Sequence, residues 1–571
     1  MKNKIFGKGL AFAIVILFAG MNIITVVESL SIEKHASAGI EKSYMPINAR
    51  GNILYVGGSG PGNYSSIQDA VNHANDSDTV YVFSGTYNET VTIQKTIDLI
   101  GEDKNITIID GKNIPNRVGV VFLQYGGDSL VTGFTIQHGG DEAGVNIWSN
   151  NNVVTGNIII NNNDGIRIYG DYNTISENIV KDNNDYGINL YDSYHNSVIN
   201  NIFESGDGIY ITLNTGDIYE TWGTQYMEGN TANGRPIYYY GNKNGIVVPS
   251  DASQVILGNC HDCIVQNLSI SDIEVGILIG GESGVNHILG NSITNTSRAG
   301  IEIEHNGLYN IISENTIAHN NLGIFLVDSC YNNICGNYIT NNDGAGILSM
   351  LSTYPGCSTP LSENIEYPSN EYNNIYRNTI TKNGNGIFMD VACYNNVFEN
   401  NITNNNYGIQ LYASYLCPCS SNNIYQNNIT DNEMGIKITE EAFANARYNK
   451  IYHNNFIGNT ENTYSDGNNI WDNGSAGNYW DDYKGWDILA PYGIGDIPYY
   501  IKPHPSVNKD RYPLMKPYPN AYTNQASQIQ SIIKQNSQSI HIINKATNGQ
   551  LHCFYFLLPN TPFQVFRKIS Q

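Results

Sequence analysis

The chain has 571 residues, more than a single hydrophobic core usually spans unless the fold grows by repetition. Charged residues make up only 14%, while 56 Gly and 41 Tyr stand beside abundant Asn, a composition that argues against a helical protein. The formal net charge of −23 repels nucleic acid and anionic lipid and leaves cations, or neutral ligands such as sugars, as better-suited partners.

In chain order, the N-terminus reads as a targeting segment. Lys2, Lys4 and Lys8 precede an apolar run from Leu10 to about Val27, and Ala36-Ser37-Ala38 offers a cleavage site. Residues 1–38 are therefore a signal peptide or, left uncut, an N-terminal anchor, the chain's only predicted membrane contact. Either way the remainder is expected to be secreted, periplasmic or on the cell surface, where disulfides persist and nine cysteines leave one without an intrachain partner. "SSIQDAVNHAN" (65–75) places Ile67, Ala70, Val71 and Ala74 on one helical face, with a Ser N-cap and Asp69 in the first turn. It predicts an amphipathic lid on the downstream domain.

That domain is a repeat. A Gly-Ile/Val-x-apolar signature starts at Gly144, Gly165, Gly187 and Gly208, and again at Gly276, Gly300, Gly323, Gly346, Gly386, Gly408 and Gly435. Between its members runs Asn-x-Ile-x-x-Asn-x-Ile, as in "NIISENTI" and "NNIYRNTI". Short period-two strands at this spacing, with no room for helices, predict an all-β parallel β-helix over 50–470, one repeat per coil. Asn suits the turns because it tolerates left-handed backbone and its amide can ladder along the axis. Residues 212–258 interrupt the period and are expected to bulge from one side. Residues 471–518, rich in Trp and Tyr, are expected to close the far end, and 519–571 read as a polar tail.

"GPGNYSSIQDAVNHANDSDTVYVFSGTYNETVTIQKTIDLIGED" with "TIIDG" resembles the start of pectin-lyase-like right-handed β-helices. "NGRPIYYY" (233–240), "QVILGNC" (254–260), "GNYWDDYKGWD" (477–487), "GIGDIPYYI" (493–501) and "DRYPLM" (510–515) resemble the NosD-like family. The resemblance implies a right-handed, three-faced β-helix with carbohydrate-binding or sugar-hydrolase type repeats. It also implies copper as a cofactor, since the family's namesake helps deliver copper to nitrous oxide reductase; a membrane transporter partner would accompany that role.

Three constellations bear on function. Soft ligands for copper would come from Cys260, His261 and Cys263 in "CHDC", at a turn where Cys330 and Cys393 take equivalent places in other coils. Glu302 and Glu304, about 6.6 Å apart on the outward side of one strand, have the spacing of a glycosidase acid pair. Asp171, Asp192 and Asp328 follow their strands at matching offsets and offer either turn caps or calcium ligands. Finally, Tyr169, Tyr191, Tyr210, Phe325, Phe388 and Tyr412 share one outward face and predict an aromatic flank for a polysaccharide or surface glycan. The expected function is a non-catalytic surface protein binding polysaccharide, with copper delivery, then hydrolase or lyase action, as alternatives.

Overall fold

The computed structural model describes residues 51–519 apart from 115–117, 352–369, 415–417, 442–443, 490 and 505. The targeting segment, the tail beyond 519, Cys357 and Cys417 lie outside these residues.

The described chain is a right-handed parallel β-helix with three faces per coil, built as two consecutive segments. In the N-terminal segment an eight-stranded sheet runs from Ile53–Val56 to Tyr226–Glu228. A six-stranded sheet runs from Val91–Ile93 to Ile209–Thr212, and the third face starts at Gly85–Tyr87. The C-terminal segment has an eight-stranded sheet from Ile264–Gln266 to Lys450–Tyr452 and a nine-stranded one from Ser269–Ser271 to Tyr479–Trp480. Its long face starts at Arg235–Gly241 and ends at Lys502–Pro503.

Register makes the core. Val80, Leu99, Val131, Val154, Ile175 and Val198 face one another coil upon coil, each fully buried. In the second segment Ile277, Ile301, Ile324, Ile347, Ile387, Ile409 and Ile436 do the same. Every second residue points inward, so a strand buries one apolar residue or two, and the long face carries a second column through Ile279, Ile303 and Leu326.

The corners carry asparagine ladders. Asn291, Asn315, Asn337, Asn378, Asn400, Asn427, Asn454 and Asn478 form one of them. Each backbone N–H and side-chain amide donates to the Oδ1 of the next coil's Asn, while Nδ2 also reaches a strand carbonyl. For Asn400 these distances are 3.0 Å to Asn427 and 2.8 Å to Ile375 O. The buried polar atoms of this ladder are thereby paired within the protein, whereas Asn173 Nδ2 and Asn196 Nδ2, in a ladder of the N-terminal segment, find no partner. Two ladders finish in aspartate: Asp207 accepts from Asn183, and Asp510 accepts from Asn478 and from the indole of Trp480; others finish in an amide, as at Gln225 and Asn508. A final rung has only to accept, which a carboxylate does and an amide is not needed for.

The N-terminal lid is helix α1 (Ile67–His73), with Ser66 as N-cap and Ile67, Ala70 and Val71 buried. Glu89 strengthens it, accepting from the Ser66 hydroxyl and from the amides of Ile67 and Gln68 at 2.8–2.9 Å. The 212–258 region is not a simple bulge. Only helix α2 (Ile218–Gly223) and its flanks leave the stack; Tyr226–Glu228 pairs with the preceding coil, and Arg235–Gly241 founds the new long face. The change of segment is made by an antiparallel hairpin between Thr231–Ala232 and Arg235–Gly241, whose Asn233 and Gly234 both have left-handed φ.

Candidate functional site

Glu302 and Glu304 do point outward from strand Ala299–Glu304, but they are buried rather than exposed (0% and 4%), which corrects the expectation of an open acid pair. The cover comes from the other segment. Tyr210 lies over the strand and donates toward both carboxylates, 3.1 Å from Glu302 and 2.5 Å from Glu304. Trp222 of α2 packs on Gly280, where a Cβ would lie 2.3 Å from the indole, and stands beside His305. Strand alternation tells core from exterior but not which exterior is covered by chain elsewhere.

Around this pair a charged knot forms. Arg298 forks onto Glu302 (Nη2 2.8 Å, Nε 2.9 Å), donates to the Tyr186 hydroxyl at 3.2 Å, and lies 4.9 Å from the Tyr210 ring and 5.6 Å from the Phe325 ring. His305 contacts Glu304 at 3.3 Å. Burial pushes Glu302 up, with Arg298 opposing and Glu304 adding to the rise, whereas Glu304 is held low by His305 against the same burial. The pair thus keeps one proton near neutrality. Glu274, likewise buried, has neither carboxylate oxygen paired, and burial pushes it well above the usual carboxylate range. The knot binds two segments together; a glycosidic bond has no way to sit between its carboxyls.

The six predicted aromatics do not form one flank. Tyr210 and Phe325 are buried in the knot. Phe388 and Tyr412 are half-buried on the long face, Tyr412 bonding Glu441. Tyr169 and Tyr191 belong to a row on the N-terminal segment that runs Phe122, Trp148, Tyr169, Tyr191, with ring centroids 5.3, 5.5 and 4.8 Å apart. Trp148 meets its two neighbours edgewise, at 87° and 71°, and is half exposed. Elsewhere Tyr309, Tyr331, Tyr372 and Tyr394 stack face to face, 5.0–5.4 Å apart, so their inner members show solvent only their edges.

The "CHDC" turn also reads differently in three dimensions. Cys260 N–H donates to Ser283 Oγ and Cys263 N–H to Asn286 Oδ1, so Cys263 is the head of an asparagine ladder. Cys260 takes the place held by Ser283 in the next coil, one residue earlier in the turn than Cys330 and Cys393, and is not their equivalent. Both thiols are buried and directed at main-chain carbonyls of Tyr240 and Lys243, while His261 is exposed. Among the described residues no three His, Cys, Asp or Glu side chains converge as a metal site. The Cys260 and Cys263 thiols hydrogen-bond each other, leaving a two-sulfur donor set at this turn. Cys393 and Cys419 are free thiols, the former beside Ser420 and the latter directed at Met389 and Ala392 carbonyls. Asp171 and Asp192 accept backbone amides of Tyr194, and of Asn214 and Thr215, as turn caps; Asp328 is buried behind its strand.

The sequence matches the family profile described as periplasmic copper-binding protein (NosD) over residues 71–221 and 358–485, and that of the right-handed beta helix region over 253–417. The chain belongs to the NosD-like right-handed β-helix family. No curated protein matches it significantly. Among solved structures, the Azotobacter vinelandii mannuronan C-5 epimerase AlgE4 A-module is 14% identical, with 71% of this chain and 93% of that chain covered and a TM-score of 0.27. The catalytic unit of a thermostable GH87 alpha-1,3-glucanase from Streptomyces thermodiastaticus is 11% identical, with coverages of 66% and 65% and a TM-score of 0.27. The "CHDC" turn of this NosD-like chain falls between the two NosD matches.

Trp148 and Tyr186 do not stand out in the sequence, yet it holds a signal for the row. Trp148, Tyr169 and Tyr191 each stand four residues after the signature Gly, whereas Tyr210, Phe325 and Phe388 stand two after it. That offset gathers the row but also takes in Tyr412, four after Gly408, which lies on the long face of the C-terminal segment.

Proposed function

We propose that this NosD-like protein is an exported, non-catalytic surface protein that binds polysaccharide along the outside of its N-terminal segment. The observation that carries the reading is the row Phe122, Trp148, Tyr169 and Tyr191, with its half-exposed indole. Aromatic faces pack on sugar CH surfaces, and an elongated solenoid flank suits a polymer. A hydrolase or lyase role is disfavoured by the closure of Glu302 and Glu304 beneath Tyr210. The test is affinity electrophoresis of the full chain through gels containing soluble polysaccharides. Retardation by at least one polymer, lost in Tyr169→Ala/Tyr191→Ala, is the expected result; unaltered mobility in all of them overturns it.

Copper delivery is the second reading, favoured by the family match. Anaerobic Cu(I) competition against a calibrated chelator decides it: stoichiometric binding abolished in Cys260→Ser/Cys263→Ser establishes that turn as the site, and no binding above chelator background removes copper from the account.

A further inference from the structure

Beside the aromatic row is an open pocket of about 330 Å³ lined by Gln124, Tyr125, Gly127, Trp148, Ser149, Asn150 and Asn151. We propose that this pocket is a subsite for one neutral hexopyranose unit of a polysaccharide, with the sugar ring lying against Trp148 and Tyr125. The inference rests on the polysaccharide reading and adds the site and the class of sugar.

Three observations support it. First, the aromatic surface is open: Tyr125 is 81% exposed and Trp148 50%, whereas Trp222, Trp471 and Trp480 are buried and the other exposed tryptophan, Trp486, lies in the C-terminal cap. Among the described residues no ring lies flat on the indole, in contrast to the stacked tyrosines of the C-terminal segment. Second, the loop that presents Tyr125 is anchored at several points. Gln124 N–H donates to Ile93 O at 2.9 Å, Gly126 N–H to Gln124 O at 2.7 Å, Asp128 N–H to Asn150 O at 3.3 Å, and Thr96 Oγ1 to Gly127 O at 2.9 Å. Cβ atoms at Gly126 and Gly127 would come within 2.6 and 2.7 Å of the Lys95 and Asn150 backbones, so the close approach needs glycine. A large side chain held out on such a loop is pre-ordered for a ligand.

Third, the rim is amide and hydroxyl without a cation among the described residues. Gln124, Asn150, Asn151 and Ser149 supply donors and acceptors suited to sugar hydroxyls. The nearby lysine, Lys95, is occupied: its ammonium donates to the carbonyls of Val71, Asn72 and Ala74 at 2.5–3.3 Å, at the end of α1. With no Lys, Arg or His lining the pocket and a chain charge of −23, a uronate carboxylate would meet repulsion and no cationic partner.

The test is calorimetric titration of the full chain with neutral tetrasaccharides (β-1,4- and β-1,3-glucan, α-1,3- and α-1,4-glucan, β-mannan) and with tetra-uronates (mannuronate, galacturonate). Trp148→Ala and Tyr125→Ala are compared with wild type, and Tyr309→Ala, in the stacked ladder, serves as the control. The expected result is binding of a neutral tetrasaccharide, weakened at least about tenfold by either pocket substitution and unchanged in Tyr309→Ala. Neutral binding indifferent to both pocket substitutions overturns the subsite while leaving the polysaccharide reading standing. Uronates bound as tightly as neutral sugars overturn the assigned class. If no oligosaccharide binds and no polysaccharide retards the chain, subsite and reading fall together.

Discussion

A ladder asparagine answers to three neighbours at once, and its contribution reflects all of them. Asn400 accepts from the N–H and Nδ2 of Asn378, and its own amide satisfies Ile375 O and Asn427. Asn400→Ala leaves buried donors and an acceptor unpaired and should cost roughly 2–4 kcal/mol in chemical denaturation. Asn406→Ala, at an exposed neighbouring site, should stay within about 0.5 kcal/mol. The terminal rungs behave otherwise. Burial, ahead of the hydrogen bonds from Asn183, pushes Asp207 up to about 7, and burial does the same at Asp510. Between about pH 4 and pH 7 the folded chain therefore holds protons that the unfolded chain has released, so this contribution is full at low pH and is lost as pH rises through 7. Asp207→Asn should remove that loss. Melting curves of the variant and wild type should coincide near pH 4 and diverge in the variant's favour by pH 8, and divergence in the opposite direction would refute the assignment.

At the scale of the element, α1 is too short to persist unaided, and its apolar face and Glu89 keep it in place. Glu89→Ala withdraws the acceptor for two first-turn amides. Hydrogen exchange should accelerate about tenfold or more at Ile67 and Gln68, with little change at Asn400. This lid was legible in the sequence because capping and amphipathicity are local properties. The coils were legible for a similar reason: Gly-Ile-x-apolar and Asn-x-Ile fix inward and corner positions within one repeat. The hairpin at Asn233-Gly234 carried a local signal too, but it lay in a stretch whose broken period suggested a bulge. What the repeat could not reveal is contact between coils far apart in the chain. Glu302 meets Tyr210 across 92 positions, and nothing near "GIEIE" announces it. Cys260 was misaligned with Cys330 by one residue, a slip that only the register of Val265 with Ile288 and onward resolves.

Over the whole molecule, the two segments are held by the hairpin, by the Gln254–Ile209 hydrogen bonds and by a charged joint. Arg298 is its centre, linking Tyr186 and Tyr210 of the first segment to Glu302 and Phe325 of the second. Arg298→Met strands Glu302 in a covered site and should cost about 3–5 kcal/mol. Because coils otherwise contact only their neighbours, weakening the joint should divide unfolding into two calorimetric transitions where wild type shows one. The net charge of −23 acts on all coils alike. Raising ionic strength from about 0.01 M to about 0.15 M shortens the screening length from about 30 Å to about 8 Å. The melting temperature should rise accordingly; a fall would mean that attractive pairs, such as Arg511–Asp472, outweigh the repulsion.

The stacked rings of the C-terminal segment give the protein an optical character of its own. Tyr376, Phe398, Tyr425 and Tyr452 lie within 6° of parallel at 4.9–5.4 Å, beside the column of Tyr309, Tyr331, Tyr372 and Tyr394. Chromophores held in a twisted pile at that spacing exchange excitation, so the near-ultraviolet dichroism of the native chain reports the pile rather than isolated phenols. Each coil that loosens removes one member, and the spectrum becomes a gauge of how many coils remain wound.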